Sequence, residues 1–152
     1  MTLLRVHGET IIERPLATVQ AQFADMAHHA ATGVHKALAV GNVRPQANGC
    51  RFTGRRRVLG LVQEDEMEVE RLSDGGSVLR SLSGSNAGLV ITQAFEALGP
   101  DRTRVRTTVE LPVRGMRKLL APLLRVALRQ DLATALAEDK ADLEVRGYPL
   151  IA

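Results

Sequence analysis

The sequence predicts an α+β fold in which a curved antiparallel sheet holds one long C-terminal helix. Three observations predict it. Leu120, Leu124, Leu128, Leu132 and Leu136 recur at steps of four, Leu143 follows at seven, and Leu119, Leu123 and Ala127 widen that face into a broad apolar stripe. Upstream of the stripe the apolar pattern alternates with a period of two, as half-buried strands do. Turn signals rich in Gly, Pro, Asn and Asp separate the alternating runs. The helix reads as Met116 to Arg146, ended by Gly147 and Pro149. At about 1.5 Å per residue it is roughly 45 Å long, and a helix of that length in a small protein needs a large surface to lie on. Pro122 removes one helical hydrogen bond and is expected to kink the helix near Lys118.

The remaining elements follow in chain order. In residues 2–13, Leu4, Val6, Thr10 and Ile12 share one face, and Arg5, His7, Glu9 and Glu13 take the other. Pro15 stops this strand. Leu16 to about Ala31 reads as one helix or two short ones, with Val19, Phe23 and Met26 inward, and Gly33 breaks it. Residues 34–43 give a strand, with a turn at Pro45–Gly49.

The next two hairpins have registers that charge can test. Pairing 50–58 with 61–72 through Leu59–Gly60 sets Phe52 against Met67, Gly54 against Asp65, Arg56 against Gln63 and Val58 against Leu61 on one face. The other face then sets Arg51 against Glu68 and Arg55 against Glu64; a slip of one residue loses both patterns. Glu64, Glu66, Glu68 and Glu70 therefore read as a solvated outer stripe. Residues 77–83 form a strand whose phase leaves the face of Arg80 open. Residues 89–98 and 102–113 pair around Gly99-Pro100-Asp101. That register sets Phe95 against Val105, Gln93 against Thr107 and Ile91 against Val109 inside, and Glu96 against Arg104 outside. Seven strands with one apolar face must bury that face, and the long helix is the available cover.

Composition bounds the rest. The 152 residues suit one domain, residues 1–152, that buries about two-thirds of its unfolded surface. Aromatic content of 3% with no Trp means that any pocket is lined mainly by aliphatic side chains and Met. The single cysteine, Cys50, excludes an internal disulfide, fits a reducing compartment, and reads as structural. The chain shows no signal-peptide pattern and no run of about 20 apolar residues, so a soluble cytoplasmic protein is expected. The net charge is +3, and the cations are mostly Arg. The Arg55–Arg57 run alternates across two strand faces, and few aromatics are present to stack bases, which argues against nucleic acid.

The element order and two stretches resemble the START and birch-pollen-allergen superfamily, and within it the polyketide cyclase/dehydrase and lipid transport branch. The first stretch is Ile12-x-x-Pro15-x-x-x-Val19-x-x-x-Phe23-x-Asp25, where a strand gives way to a helix. The second is Leu132, Leu136, Lys140 and Glu144, at the positions of the family's last helix. Gln20 and the run Met26-Ala27-His28-His29-Ala30-Ala31 depart from the family's aromatic pattern. The resemblance implies a helix-grip fold: a seven-stranded antiparallel sheet around the C-terminal helix, with short helices between the first two strands. It further implies a deep cavity between sheet and helix, open at one end, and no obligatory cofactor. Members bind or transport lipids, quinones, sterols or polyketides, and some cyclise or dehydrate polyketides. Fold alone does not choose among these.

The inward faces then supply the candidate ligand contacts: Phe52, Arg56, Gln63, Asp65, Met67, Ile91, Gln93, Phe95, Val105, Thr107 and Val109 from the sheet, and Leu120 and Leu124 from the helix. Polar groups in an apolar cavity are costly unless partnered, so Arg56, Gln63, Asp65, Gln93 and Thr107 are read as orienting a ligand's oxygen atoms. Asp65, diagonal to Arg56, is the one candidate catalytic acid. Carriage of a small apolar ligand is the leading reading, and a cyclase- or dehydratase-like enzyme using Asp65 is the alternative. His28, His29 and His35 lie close in sequence, but no Cys or acidic residue stands near them at a metal-site spacing. They read as solvated or rim-lining, with no metal. Met116–Leu128 is nearly apolar all round; burial against the sheet is expected there, with contact to a membrane surface or a delivering protein as the functional alternative.

Overall fold

A computed structural model of the chain describes residues 2–58 and 60–149. In order, the elements are β1 (Thr2–Ile12), α1 (Leu16–Ala24), α2 (Met26–Thr32), β2 (Ala39–Gln46), β3 (Gly49–Val58), β4 (Leu61–Arg71), β5 (Ser77–Ser81), β6 (Val90–Gly99) and β7 (Arg102–Val113). A 3-10 turn at Gly115–Leu120 leads into α3 (Ala121–Glu144). The strands form one seven-stranded sheet in the order β1-β7-β6-β5-β4-β3-β2. Every neighbouring pair is antiparallel. Among the described residues no helix is long and apolar enough to cross a membrane.

Both expected hairpin registers are present. Phe52 faces Met67 and Arg55 faces Glu64 in β3–β4. Phe95 faces Val105 and Glu96 faces Arg104 in β6–β7. Charge fixes the outer face: Arg55 Nε donates to Glu64 at 2.8 Å, and Arg104 Nη1 to Glu96 at 2.7 Å. The turn expected at Leu59–Gly60 falls partly on Leu59, which lies outside the described residues; Gly60 has φ 80°. Arg80 is on the outer face, where Nη1 donates to Glu70 at 2.9 Å.

Three expectations need correction. The strand expected at 34–43 lies further on, at Ala39–Gln46, with a register shift between Gly41 and Arg44 where Asn42 takes φ 50°. The long helix begins at Ala121, not Met116. Pro122 stands in its first turn, where a missing N–H removes no intrahelical bond, so it starts the helix instead of kinking it. The expected burial of Met116–Leu128 holds only for Ala121, Leu124 and Leu128, which pack against the core. Met116 is 81% exposed, Leu119 77% and Leu123 69%, because α3 settles mainly along β1 with its C-terminal half.

That seat depends on one glycine. A Cβ at Gly8 would stand 2.8 Å from Leu132 Cδ2 and 3.1 Å from Leu136 Cδ1, so a side chain there would force these two leucines to shift. Leu132, Leu136 and Leu143 are buried there with Leu4, Val6 and Ile12. Gly8→Val is expected to push α3 off β1 and to cost about 1–3 kcal/mol, the usual range for overpacking. Urea unfolding at neutral pH checks this; a variant as stable as the parent would mean that the helix is not seated on β1.

Candidate functional site

The inner face of the sheet divides into two buried clusters. Leu4, Val6, Ile12, Val19, Phe23, Val105 and Val109 belong to one, which α1 and α3 cover. Met26, Cys50, Phe52, Met67 and Val69 form the other, which receives Met26 from α2. Burial raises the Cys50 thiol pKa, helped by the Asp25 charge, in keeping with a structural role. Ile91, Gln93 and Phe95, on β6, stay only half-buried. The rings of Phe23 and Phe95 meet edge to face at 5.4 Å.

The polar residues expected on this face are there, in two groups. Thr107 is 1% exposed and its hydroxyl has no hydrogen-bond partner among the described residues. Gln93 pairs with Thr107 across the strands, and its Oε1 accepts from Ser77 at 3.5 Å. Further along, Arg56 Nη2 donates to Asp65 Oδ2 at 3.0 Å. Asp65 is buried, and a Cβ on Gly84 would stand 1.7 Å from its Oδ1, so the 82–88 turn closes over the carboxylate. Gln63 accepts from Ser85 of the same turn at 3.1 Å. Of the helix residues, Leu124 and Leu128 pack against the first cluster, whereas Leu120 is 52% exposed in the 3-10 turn.

The densest polar cluster lies elsewhere, between α1–α2 and the C-terminal half of α3. Gln22 Nε2 donates to Asp139 Oδ1 and to Asp142 Oδ2, both at 3.0 Å. His28 Nε2 lies 2.6 Å from Asp142 Oδ2. His29 Nε2 lies 3.2 Å from Asp139 Oδ1, and His35 Nε2 is 3.4 Å from the same oxygen. Tyr148 donates its hydroxyl to Asp25 Oδ2 at 2.7 Å. The expectation of solvated or rim-lining histidines is therefore corrected: His29 is 4% exposed, and the acidic partners arrive from α3, more than a hundred residues away in the chain. One signal was available. Asp139 occupies the slot between Leu136 and Leu143 on the apolar stripe, where the spacing calls for an apolar side chain.

No protein-family model matches this chain, and no curated protein matches its sequence. Solved structures do match its fold. TTHA0849 from Thermus thermophilus is 18% identical with a TM-score of 0.80, over 94% of this chain and 99% of that one. A START superfamily protein from Mycobacterium smegmatis is 12% identical with a TM-score of 0.77, over 93% and 98%. The Zhui aromatase/cyclase from Streptomyces sp. R1128 is 14% identical with a TM-score of 0.74, over 96% and 99%. The fold is the START-type helix grip.

Within this helix grip His35 and Asp139 stabilise each other's charged form. Burial alone would lower the pKa of His35; hydrogen bonds and charge from Asp139 and then Glu138 overcome this and raise it from 6.5 to about 9. Burial alone would raise Asp139; its bonds to His29 and His35, and their charge, bring it from 3.8 down to about 2. The signs set a window. The raised His35 contributes stability that is complete below its ordinary 6.5 and lost as pH climbs through about 9. The lowered Asp139 contributes stability that is present above 3.8 and lost as pH falls through about 2. His35→Gln should therefore cost more stability near pH 5.5 than near pH 10, values on the order of one unit beyond the ends of the His35 transition. Urea unfolding at the two values checks it, and an equal loss at both would mean that the His35 charge is not coupled to folding.

Proposed function

We propose that this chain binds and carries a small, largely apolar ligand between the inner face of the sheet and the N-terminal half of α3. The observation that carries this reading is the Thr107 hydroxyl, buried without a partner among the described residues, next to half-buried Ile91, Gln93 and Phe95. An unmet buried donor costs about 1–3 kcal/mol, and a ligand oxygen at this point would recover it. Lipids, quinones, sterols and polyketide-like molecules share the required chemistry: extended apolar surface with isolated oxygens. The likeness to a START protein and to an aromatase/cyclase supports this ligand class.

The aromatase/cyclase likeness also favours a second reading, turnover at Asp65. Against it, that carboxylate is engaged by Arg56 and covered by the Gly84 turn. A thermal-shift screen of fatty acids, quinones, sterols and aromatic polyketides, with product analysis of each hit, separates the two. Binding without conversion is expected, with about 2.7 kcal/mol of added stability at a hundred times the dissociation constant. Thr107→Val should weaken oxygen-bearing ligands and spare hydrocarbon-like ones. Conversion abolished by Asp65→Asn would replace the carrier by the enzyme, and a screen with no hit would remove both.

The same reading gives the exposed apolar patch a role in ligand transfer. Met116, Leu119, Leu123 and Val126 stand among the exposed cations Arg114, Lys118 and Arg129. Apolar side chains ringed by cations suit an anionic lipid surface. The chain should co-sediment with vesicles containing phosphatidylserine, less so at high salt, and Leu119→Ser with Leu123→Ser should abolish this while leaving soluble-ligand binding intact. Equal binding by the double variant would exclude this surface.

A further inference from the structure

We propose that His29, His35 and Asp139 form a binding site for a divalent transition-metal ion of the Zn2+ class, clamping α2 and the loop after it onto α3. The three ligand atoms, two imidazole nitrogens and one carboxylate oxygen, lie within 4.8 Å of one another. The two separations from the carboxylate oxygen fit an ion. Bonds of about 2.0–2.1 Å to a tetrahedral centre place neighbouring ligand atoms roughly 3.3 Å apart. His29 Nε2 and His35 Nε2 stand 3.2 and 3.4 Å from Asp139 Oδ1.

The outer contacts of both rings prepare these atoms. His29 Nδ1 lies 2.7 Å from the Asp25 backbone oxygen, which can only accept, so Nδ1 carries a proton. His35 Nδ1 lies 3.1 Å from Glu138 Oε1, a carboxylate that fixes the same tautomer. Both are standard ways in which a metal-binding histidine is oriented: the far nitrogen donates, and the near one offers its lone pair. Here the two Nε2 atoms converge on a single anionic oxygen. A divalent ion at that point meets all three ligand atoms at once.

A second observation points the same way. Gln22 is fully buried and holds Asp139 Oδ1 through Nε2, while its Oε1 has no hydrogen-bond partner among the described residues. A carboxamide so placed positions the carboxylate as an outer-sphere partner and leaves an oxygen free for a water on the ion. The His35 and Glu138 side chains, each 17% exposed, give an entry path. Three protein ligands leave a fourth position open, as in zinc sites that bind a water or a substrate atom. Imidazole and carboxylate donors without thiolate select Zn2+, Co2+ or Ni2+ over Ca2+ and Mg2+.

The test uses the full, tag-free chain stripped with a chelator, then titrated calorimetrically with ZnCl2, and with CoCl2 while the visible spectrum is recorded. One equivalent of Zn2+ is expected to bind at micromolar or lower dissociation constant and to raise the melting temperature. Co2+ should give a low-symmetry visible spectrum that Zn2+ removes. His35→Gln, partly exposed and therefore tolerant of change, should weaken Zn2+ binding at least tenfold and abolish the Co2+ spectrum, with circular dichroism confirming the fold. Asp139→Asn should do the same, and His28→Gln, whose ring meets Asp142 instead, should leave both intact. No stoichiometric binding, or binding unchanged in folded His35→Gln, would overturn the proposal. This outcome is independent of whether any apolar ligand binds.

Discussion

The C-terminal half of α3 is fastened in two ways, and the remainder of the architecture takes its position from that attachment. On one side, Leu132 and Leu136 press onto the bare backbone of Gly8, while Lys140 Nζ donates to the Ile11 carbonyl at 2.6 Å and Glu144 accepts from the Glu13 amide at 2.8 Å. On the other, Asp139 and Asp142 receive Gln22, His28 and His29 from α1 and α2. The N-terminal half lacks comparable support. Arg125 donates to the Arg5 carbonyl, and Leu124 and Leu128 reach the core, but Leu119 and Leu123 face outward. A helix held hard at one end and lightly at the other concentrates opening motion at the light end, where few apolar contacts resist it. Leu124 and Leu128 of that end pack against the same cluster as Ile91 and Phe95.

Burying two carboxylates among three histidines is not the cheapest way to glue helices. Removing charges from water costs several kcal/mol per ion, and apolar side chains of equal volume often do as well or better. What the ionic cluster adds over a leucine contact is direction. Gln22 is fixed on two carboxylates at once, and His29 is held by Asp25 on one nitrogen and Asp139 on the other. Such bonds admit one register of α2 against α3, where an apolar seam tolerates sliding. Oriented donors, a buried amide oxygen without a partner among the described residues and partial access through His35 are also what a ligand site requires, so specificity and the proposed ion binding draw on the same groups.

The sheet was legible from sequence to the level of single pairs because its information is local. Arg51 with Glu68, Arg55 with Glu64 and Glu96 with Arg104 sit within one hairpin each, and period-two alternation turns a charge match into a register. The helix was legible as a stripe but not at its start, since Pro122 serves equally as a kink or as a first-turn residue until the preceding chain is seen. The His–Asp cluster was not legible. Its partners are more than a hundred residues apart in the chain. Only the intrusion of Asp139 into the leucine spacing marked it, and spacing alone names no partner. Of the inward residues expected to meet a ligand, Asp65 and Thr107 are indeed buried on that face, but their surroundings differ. Asp65 is engaged by Arg56 and covered by a turn, while Thr107 is left with an unmet hydroxyl.

The two apolar clusters explain why the polar anchor matters to the proposed ligand space. α3 covers the β1–β7 side of the sheet and does not supply the cover over Phe52 and Met67; α2 reaches that second cluster through Met26. The helix that carries Met26 also carries His28 and His29 into the ionic cluster. A shift of α2 against α3 must therefore move the lid on one half of the inner face relative to the lid on the other. Hydrogen bonds outside both clusters therefore help to set how the two covers lie relative to each other. The proposed ligand space can then keep apolar walls, since the polar contacts that orient its covers lie elsewhere.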